Sequence, residues 1–347
     1  MPVLTSTNSK VLVTGANGYI GAWVVKILLD RGYSVRAAVR NSAKADILRG
    51  LFPSHAGSGK LEFAYVADLV TEGAFDDAVV GVDAILHLAS PLPSPSPDPQ
   101  ATIRPAVDGT LGVLKSALKN GEGVKRIGIT SSTASLTMLA PVSDTPTTFS
   151  EADWNDAAIR AVQGGSTNPF VVYAASKTLA EKAAWEFHNT HKPAWDIATL
   201  NPPFVYGPTL LPAKTPAEIG GTQGIWYGTV IATGNKDKEQ LGEKNGYAWV
   251  DVRDIAEAHV RALEKEEAGG QRIVVSSGSY IWQEWFDVAK RRLPGFPELT
   301  PGDVTHLAKF DNAKSERVLG LKYRAKEDTV RDILEDAAER GWLAKAD

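Results

Sequence analysis

Short apolar runs alternate with amphipathic stretches along the first 130 residues. Residues 10–15 (KVLVTG) are rich in β-branched side chains, and residues 17–32 then place apolar side chains at helical spacing up to a glycine. Strands alternating with helices predict a parallel sheet covered by helices on both faces, that is, a doubly wound α/β fold. The same pattern predicts further strands over residues 33–40, 61–69, 82–90 and 124–133.

The pattern changes in the second half of the chain. Residues 195–208 predict a sixth strand and a turn, whereas residues 209–247 are rich in Gly, Pro and Thr and have little regular period. An amphipathic helix over 250–267 and a strand over 271–277 follow. We therefore expect two parts, a main domain and a smaller, mostly C-terminal lobe. The predicted main domain spans residues 1–205 and about 248–276, and the lobe spans about 206–247 and 277–347.

Composition narrows the classes of function. The chain has 347 residues, 43% of them apolar, which is enough for a full core. A net charge of −4 offers no electrostatic attraction to nucleic acid or to an anionic membrane. The chain has no cysteine, which excludes disulfides and thiolate chemistry and fits a reducing compartment. Because no secretory signal and no apolar run of about 18 residues is visible, we expect a cytoplasmic protein.

Three glycines stand between the first predicted strand and the first predicted helix. Gly15, Gly18 and Gly21 would let the backbone approach a diphosphate, whose charge then lies at a helix N-terminus among free N–H groups. A tight turn with close helix packing is the alternative interpretation. The position directly after strand one favours a dinucleotide site, and with it a Rossmann fold.

The end of the second predicted strand indicates which dinucleotide is bound. An enzyme that uses NAD usually carries an acid there for the ribose 2′-hydroxyl, but this chain has Arg40, with Lys44 close behind and Arg36 earlier on the strand. A guanidinium suits a 2′-phosphate, so we predict NADP(H). The alternative is that Arg40 is an ordinary solvated charge.

Asp68 and Leu69 follow the third predicted strand, where an adenine ring would lie. Asp68 could accept a hydrogen bond from the exocyclic amine, and Leu69 could pack on the ring. A cap at the end of the strand explains the same residues equally well.

A tyrosine and a lysine stand one helical turn apart in residues 171–188. Tyr173 and Lys177 are at i and i+4, so their side chains can meet on one helix face. We expect the ammonium to lower the pKa of the phenol towards neutrality, so that the phenol can give a proton to a carbonyl oxygen. Ser132, at the end of the fifth predicted strand, would bind the same oxygen, because ligands bind at the carboxyl ends of parallel strands.

These features together resemble the extended short-chain dehydrogenase/reductase family. Within that family the chain is similar to fungal and yeast carbonyl reductases and to plant dihydroflavonol reductase-like enzymes. The likeness covers nearly the whole chain and is weakest over 209–247 and the last 40 residues. It rests on the segments VTGANGYIGAWVV, HLAS, TSST, YAASKTLAEKAAWEF and VDVRDIAEAHV.

The resemblance implies roles for individual residues. Tyr173 is expected to be the proton donor, Lys177 to bond the nicotinamide ribose, and Ser132 to hold the substrate oxygen. Asp108 stands where family members often have asparagine, which puts a proton relay through an amide at this point in doubt. Further cofactor contacts are expected from the motif residues Asn17, Tyr19, Ile20, Leu88, Ala89, Ser90 and Thr130, and at the nicotinamide carboxamide from Pro202 and the backbone of Val205.

Aromatic side chains suggest the character of the substrate. Phe204, Trp226 and Tyr227 could form the wall of an apolar pocket beside Ser132, or they could be the core of the smaller lobe. Residues 91–95 and 136–141 are placed to close the same pocket.

The function predicted from the sequence is reduction of ketones or aldehydes by NADPH. The expected partner is a small, hydrophobic carbonyl compound, and we expect no nucleic acid and no membrane as partners. We also expect no bound metal, because the six histidines lack metal-ligand spacing. Helices around 98–120 and 168–190 could pair in a homodimer or stay covered in a monomer. One alternative is a nucleotide-sugar epimerase or dehydratase of the same fold, and another is a dinucleotide-sensing regulator without catalysis.

Overall fold

Seven parallel strands form the central sheet of the protein. The computed structural model describes residues 3–4, 8–90, 96–138, 145–232, 246–291 and 306–343. None of the helices in these ranges is both long and apolar enough to cross a membrane. The strands are β1 (Lys10–Thr14), β2 (Ser34–Val39), β3 (Leu61–Tyr65), β4 (Ala84–His87), β5 (Arg126–Thr130), β6 (Thr147–Phe149), β7 (Asp196–Asn201), β8 (Phe204–Tyr206), β9 (Gly246–Asp251), β10 (Gln271–Val274), β11 (Gly278–Ile281) and β12 (Ala308–Phe310).

The helices connect these strands in the predicted alternation. They are α1 (Tyr19–Asp30), α2 (Ser42–Leu51), α3 (Pro53–Gly57), α4 (Gln100–Asn120), α5 (Asp156–Gln163), α6 (Pro169–His191), α7 (Gly221–Trp226), α8 (Val252–Glu264), α9 (Trp282–Lys290), α10 (Ala313–Leu319) and α11 (Lys326–Glu339). Each strand predicted from apolar runs is present, although most are a few residues shorter than the run. Apolar character continues past the last ladder hydrogen bond, so sequence overestimates strand length.

The strand order places a cleft at the centre of the sheet. The order is β10-β7-β5-β4-β1-β2-β3, so β1 has β4 on one side and β2 on the other. Every pairing in this sheet is parallel. The chain winds outwards in both directions from β1 and β4, and the carboxyl ends of these strands form the crevice where such sheets bind ligands. The predicted doubly wound fold is confirmed.

Helices cover both faces of the sheet. On one face, α1 and α8 pack together over β1 and β2, with Val24, Leu28 and Val260 in the same buried cluster. On the other face, α4 and α6 pack side by side, and α4 contributes Val113 and Leu114 to a second cluster. Strands buried on both faces read as continuous apolar runs, which is why the sequence pattern was clear here.

Two small sheets lie outside the central one. Strands β11, β9 and β8 form a three-stranded sheet, and β12 pairs with β6. The predicted main domain included residues 248–276, but β9 belongs to the small sheet, whereas α8 and β10 join the large one. The division into two domains stays a prediction.

Candidate active site

The glycine turn is shaped by close backbone contacts. Gly15 has a φ of +66°, and a Cβ there would lie 2.8 Å from the amide nitrogen of Ala89. A Cβ on Gly21 would lie 2.1 Å from the carbonyl oxygen of Gly15, so only glycine fits at this position. Gly18 precedes α1, and no described side chain caps the helix. The first N–H groups of α1 therefore point at the cleft without a side-chain partner, which suits an anion such as a diphosphate.

Tyr19 connects this turn to the segment that follows β8. Its phenol donates a hydrogen bond to the carbonyl oxygen of Gly207 at 2.8 Å and lies 3.1 Å from Oε1 of Gln223. Its backbone N–H is at the first position of α1. Any contact of Tyr19 with a diphosphate would therefore use this backbone N–H. Asn17 and Ile20 are both half-buried beside it.

Arg40 and Lys44 are both exposed just beyond β2. Asn41, between them, caps α2 by accepting a hydrogen bond from the backbone N–H of Lys44 at 3.1 Å. Arg36 has a different role, because its guanidinium bonds Glu62 and the carbonyl oxygens of residues 78 and 80. Arg36 is thus engaged within the fold, whereas Arg40 and Lys44 are exposed at the surface beyond β2.

The residues after β3 were predicted either to contact an adenine ring or to cap the end of the strand. Asp68 is exposed, and its Oδ1 accepts a hydrogen bond from the backbone N–H of Val70 at 3.1 Å, as a turn cap does. Leu69 is half-buried against α4, where a Cβ on Gly109 would lie 2.1 Å from its Cδ1. The small residue on α4 thus makes room for Leu69 beside the cleft.

The end of β4 is held by a short polar chain. The hydroxyl of Thr14 accepts from the backbone N–H of Ala89 at 3.1 Å and lies 2.9 Å from Nδ1 of His87. These bonds fix the segment 88–90, in which Leu88 and Ala89 are half-buried and Ser90 is exposed. The segment therefore lies directly beside the glycine turn, since the backbone of Ala89 and Leu88 is the nearest neighbour of Gly15.

Helix α6 presents Tyr173 and Lys177 to the cleft from one face. The helix begins at Pro169 after an Asn168 cap, and it runs past both residues without a break. Ser132 follows β5 and begins a short 3₁₀ turn, in which its Oγ accepts from the backbone N–H of Ala134 at 3.1 Å. The Ser132 hydroxyl is also close enough to the Tyr173 phenol to lower the pKa of that phenol. The three predicted catalytic side chains thus lie at the same sheet edge.

The electrostatics of the pair differ from the prediction. Burial raises the pKa of the Tyr173 phenol, and the hydrogen bond with Ser132 only partly opposes that rise. The Lys177 ammonium stands 6.0 Å from the centre of the tyrosine ring. Burial lowers the pKa of Lys177 to about 8, and the negative charge of Glu181 opposes the fall. The prediction that lysine lowers the tyrosine pKa is wrong, because burial is the larger effect on both groups.

Three further residues with predicted cofactor contacts follow or end strands at this sheet edge, namely Thr130, Pro202 and Val205. The Thr130 hydroxyl is 2.6 Å from Nε2 of His259, so it is engaged within the protein. The Pro202 carbonyl oxygen accepts from the backbone N–H of Thr133 at 3.0 Å, and Val205 is buried. Any contact of Thr130 with a cofactor would therefore involve its backbone or methyl group.

Two of the three aromatic side chains predicted for the pocket wall lie in the core, and the role of Phe204 stays a prediction. Trp226 and Tyr227 are fully buried in the core of the small sheets, with Trp226 edge-on to Trp285, so the alternative interpretation of these two residues holds. Phe204 is half-buried and stacks on Tyr206. Residues 91–95 and 139–141, which were expected to close the pocket, lie outside the described residues. Asp108 is exposed on α4.

Two buried polar residues near the site were not predicted. His87 and Glu181 line a cavity of about 20 Å³ together with Lys177, a space sufficient for one water molecule. Glu181 is fully buried, and it follows Lys177 by one further helical turn. The sequence contained a signal for Glu181, since positions 173, 177 and 181 share one helix face. Nothing in the sequence indicates the burial of His87.

The fold and this cleft define a Rossmann-type, dinucleotide-binding protein. Residues 11–276 match the NAD dependent epimerase/dehydratase family, and the chain belongs to that family.

Similar proteins within this family are reductases by name. The chain is 32% identical to the NADPH-dependent methylglyoxal reductase GRE2 of Saccharomyces cerevisiae, over 93% of this chain and 96% of the yeast protein. It is also 32% identical to tetraketide alpha-pyrone reductase 1 of Arabidopsis thaliana, over 98% and 99% of the two chains. A solved structure of Gre2 from Candida albicans in complex with NADPH superposes with a TM-score of 0.85 at 33% identity, covering 96% of this chain and 99% of that one.

Proposed function

We propose that this protein reduces aldehydes or ketones to alcohols with NADPH, using Ser132, Tyr173 and Lys177. The observation that carries the proposal is the meeting of these side chains at the carboxyl edge of the sheet, across the cleft from the glycine turn. The similar proteins named above are NADPH-dependent or act as reductases, which supports the same chemistry. The epimerase or dehydratase alternative shares the fold, but neither the similar reductases nor Arg40 favours it.

Bound NADPH would supply the hydride that attacks the carbonyl carbon. The Tyr173 phenol gives its proton to the oxygen that becomes the alcohol. The Tyr173 phenol is protonated at neutral pH, and burial raises its pKa further, so the proton leaves only as negative charge develops on the carbonyl oxygen. Ser132 polarises the same oxygen from its other side. Lys177 brings a positive charge to the cofactor side of the cleft, where it would bind the nicotinamide ribose.

Specific residues fit each part of NADPH. The free N–H groups at the start of α1 suit the diphosphate, and Gly15 and Gly21 allow it to approach closely. Arg40 and Lys44 are exposed where the 2′-phosphate would lie. Leu69 offers an apolar surface to the adenine ring.

Replacing Tyr173 tests the proposal. Tyr173→Phe is expected to bind NADPH with unchanged affinity and to lose about 10²–10⁴-fold in carbonyl reduction, since only the proton donor is removed. NADPH oxidation is measured with methylglyoxal, aliphatic and aryl ketones, β-keto esters and aldehydes, and binding is measured by fluorescence titration. Tyr65→Phe, a change at an exposed tyrosine, is the matched control. Retained turnover in Tyr173→Phe would contradict the proposal.

A further inference from the structure

A single buried carboxylate holds the residues on both sides of Ser132. Oε2 of Glu181 accepts hydrogen bonds from the hydroxyl of Ser131 at 2.5 Å and from the hydroxyl of Ser135 at 2.6 Å. These serines belong to residues 131–135, here called the serine turn, which contain Ser132. Asn201 adds a third bond to Oε2 at 2.8 Å and also reaches the carbonyl oxygen of Ser132 at 3.3 Å.

The other carboxylate oxygen is held by the rest of the protein. Oε1 of Glu181 accepts from Nε of Arg272 at 2.6 Å and from the hydroxyl of Thr199 at 2.9 Å. The Arg272 guanidinium in turn bonds two backbone carbonyl oxygens, at residues 151 and 153, and lies 3.5 Å from the centre of the Trp154 ring. The carboxylate is thus fixed from β7 and β10 before it reaches the serine turn.

Glu181 remains charged in spite of its burial. Burial alone would raise the pKa of its carboxyl, but Arg272 and the serine hydroxyls reverse that effect, and the pKa lies below its usual range. A charged acceptor makes shorter and stronger hydrogen bonds than a neutral one. The serine turn is therefore attached to α6 by charge-assisted bonds.

We infer that Glu181 is a positioning residue for carbonyl reduction, which sets the place of the Ser132 hydroxyl relative to Tyr173. This inference rests on the proposed function. Tyr173, Lys177 and Glu181 follow one another on the same face of α6, so the helix that carries the proton donor also holds the turn that carries its partner. A shift of about 1 Å in a group that aligns the substrate can cost about 10²-fold in rate, which makes such a device effective.

Two milder substitutions separate positioning from general support of the fold. Ser135→Ala and Thr199→Ala each remove one buried hydroxyl that donates to Glu181, but only Ser135 belongs to the serine turn. We expect Ser135→Ala to lower kcat by about tenfold or more, with the KM and Kd for NADPH unchanged. Thr199→Ala should lower kcat by no more than about twofold, because Arg272 still holds Oε1 of Glu181. It should cost less thermal stability than Ser135→Ala, because the Ser135 hydroxyl also bonds Asn201 and the carbonyl oxygen of Ser132. Equal kcat in the two variants would overturn the inference.

The charge of Glu181 gives an independent readout. The titratable or charged groups around Lys177 are Tyr173 and Glu181 on α6, His87 at the end of β4, and Arg272 beyond Glu181, while α4 and β5 line the cavity with uncharged side chains. Glu181→Gln removes the charge that stabilises the ammonium. The loss of activity at high pH should therefore begin at a lower pH, whereas Ser135→Ala should leave its position unchanged. Glu186→Gln, at an exposed position of the same helix, is the control.

The outcomes distinguish this inference from the proposed function. If Tyr173→Phe keeps its turnover, the proposed function fails and the positioning role fails with it. If Tyr173→Phe is inactive while Ser135→Ala and Thr199→Ala have the same kcat, only the positioning role fails. Glu181→Gln also deprives the half-buried Arg272 of its counter-charge, so if that variant does not fold, the comparison of the two hydroxyl variants decides.

Discussion

The Lys177 ammonium donates a hydrogen bond to the Ser90 hydroxyl, with Nζ and Oγ 3.0 Å apart. This bond joins α6 to the segment after β4 across the floor of the cleft. Burial lowers the pKa of Lys177 to about 8, close to neutrality. The positive charge that the proposed mechanism needs is therefore lost within an accessible pH range.

Activity should decrease as the pH rises through about 8. Because the pKa of Lys177 is lowered, the side chain is an ammonium below that pH and a neutral amine above it. The neutral amine attracts NADPH less, so kcat/KM for NADPH should fall on the alkaline side; this parameter reports ionisations of the free enzyme.

The substitutions Ser90→Ala and Lys177→Met test whether Lys177 causes this pH dependence. Ser90→Ala removes an acceptor of the ammonium, and the alkaline limb should move to lower pH. Lys177→Met should have low activity and no such limb. If kcat/KM for NADPH in the unchanged protein stays constant from about pH 7 to pH 9.5, the ionisation of Lys177 does not control NADPH binding.

Cofactor preference should depend on Arg40. Arg40→Ala is expected to raise the KM for NADPH by about 10- to 100-fold, the equivalent of about 1.4–2.8 kcal/mol, and to leave the KM for NADH nearly unchanged. The effect of Lys44→Ala should be in the same direction and smaller. Steady-state kinetics with both cofactors measures this, and Arg104→Ala, exposed on α4, is the control. An equal loss with NADPH and NADH would argue against a 2′-phosphate contact.

The sequence predicted the parts of the site that depend on local pattern. Strands with continuous apolar runs, the glycines at 15 and 21, and the pair on one face of α6 are local features, and their order along the chain determines where they meet in a doubly wound sheet. The sequence did not show which of Arg36 and Arg40 is used within the fold and which is left at the surface. The contacts of Arg36 with Glu62 on the neighbouring strand and with two backbone carbonyl oxygens show that its charge is used within the fold.

Features that depend on distant segments could not be predicted. Burial raises the pKa of the Tyr173 phenol, and no residue spacing reveals how deeply that phenol lies. Trp226 has the same hydrophobic character in a pocket wall as in a core. Its position is decided by Trp285, which is far away in the sequence. Glu181 shares its helix face with Tyr173 and Lys177, which the sequence shows, but its enclosure by Arg272 and the serines does not follow from the sequence.

The close contacts of the glycine turn predict a severe effect of one methyl group. Gly21→Ala places a Cβ 2.1 Å from the carbonyl oxygen of Gly15, so the backbone must move, which would distort the site proposed for the diphosphate. We expect NADPH binding to weaken by at least about 100-fold and the protein to lose about 1–3 kcal/mol of stability.

A second glycine provides the control for this substitution. Gly50 lies in α2, and a Cβ there would meet no other atom within 4 Å. Gly50→Ala should leave NADPH binding unchanged and should stabilise the helix by up to about 1 kcal/mol. Fluorescence titration and thermal unfolding measure both variants. Normal NADPH affinity in Gly21→Ala would mean that the turn does not carry the diphosphate.

Substitutions of Trp226 and Phe204 should distinguish a residue of the core from a residue of the substrate pocket. Trp226 has no exposed surface and packs edge-on against Tyr227 and Trp285, with ring centres 5.8 and 6.1 Å away. Trp226→Ala should therefore cost about 3–5 kcal/mol in the free energy of unfolding, as for other large aromatic residues in cores. Phe204→Ala should cost less, because the ring is only half-buried, and should change the KM values of bulky and small carbonyl substrates unequally. Urea unfolding and the substrate panel test both expectations. If Trp226→Ala keeps its stability and changes the KM values instead, Trp226 faces the substrate, and the original prediction of a pocket wall is restored.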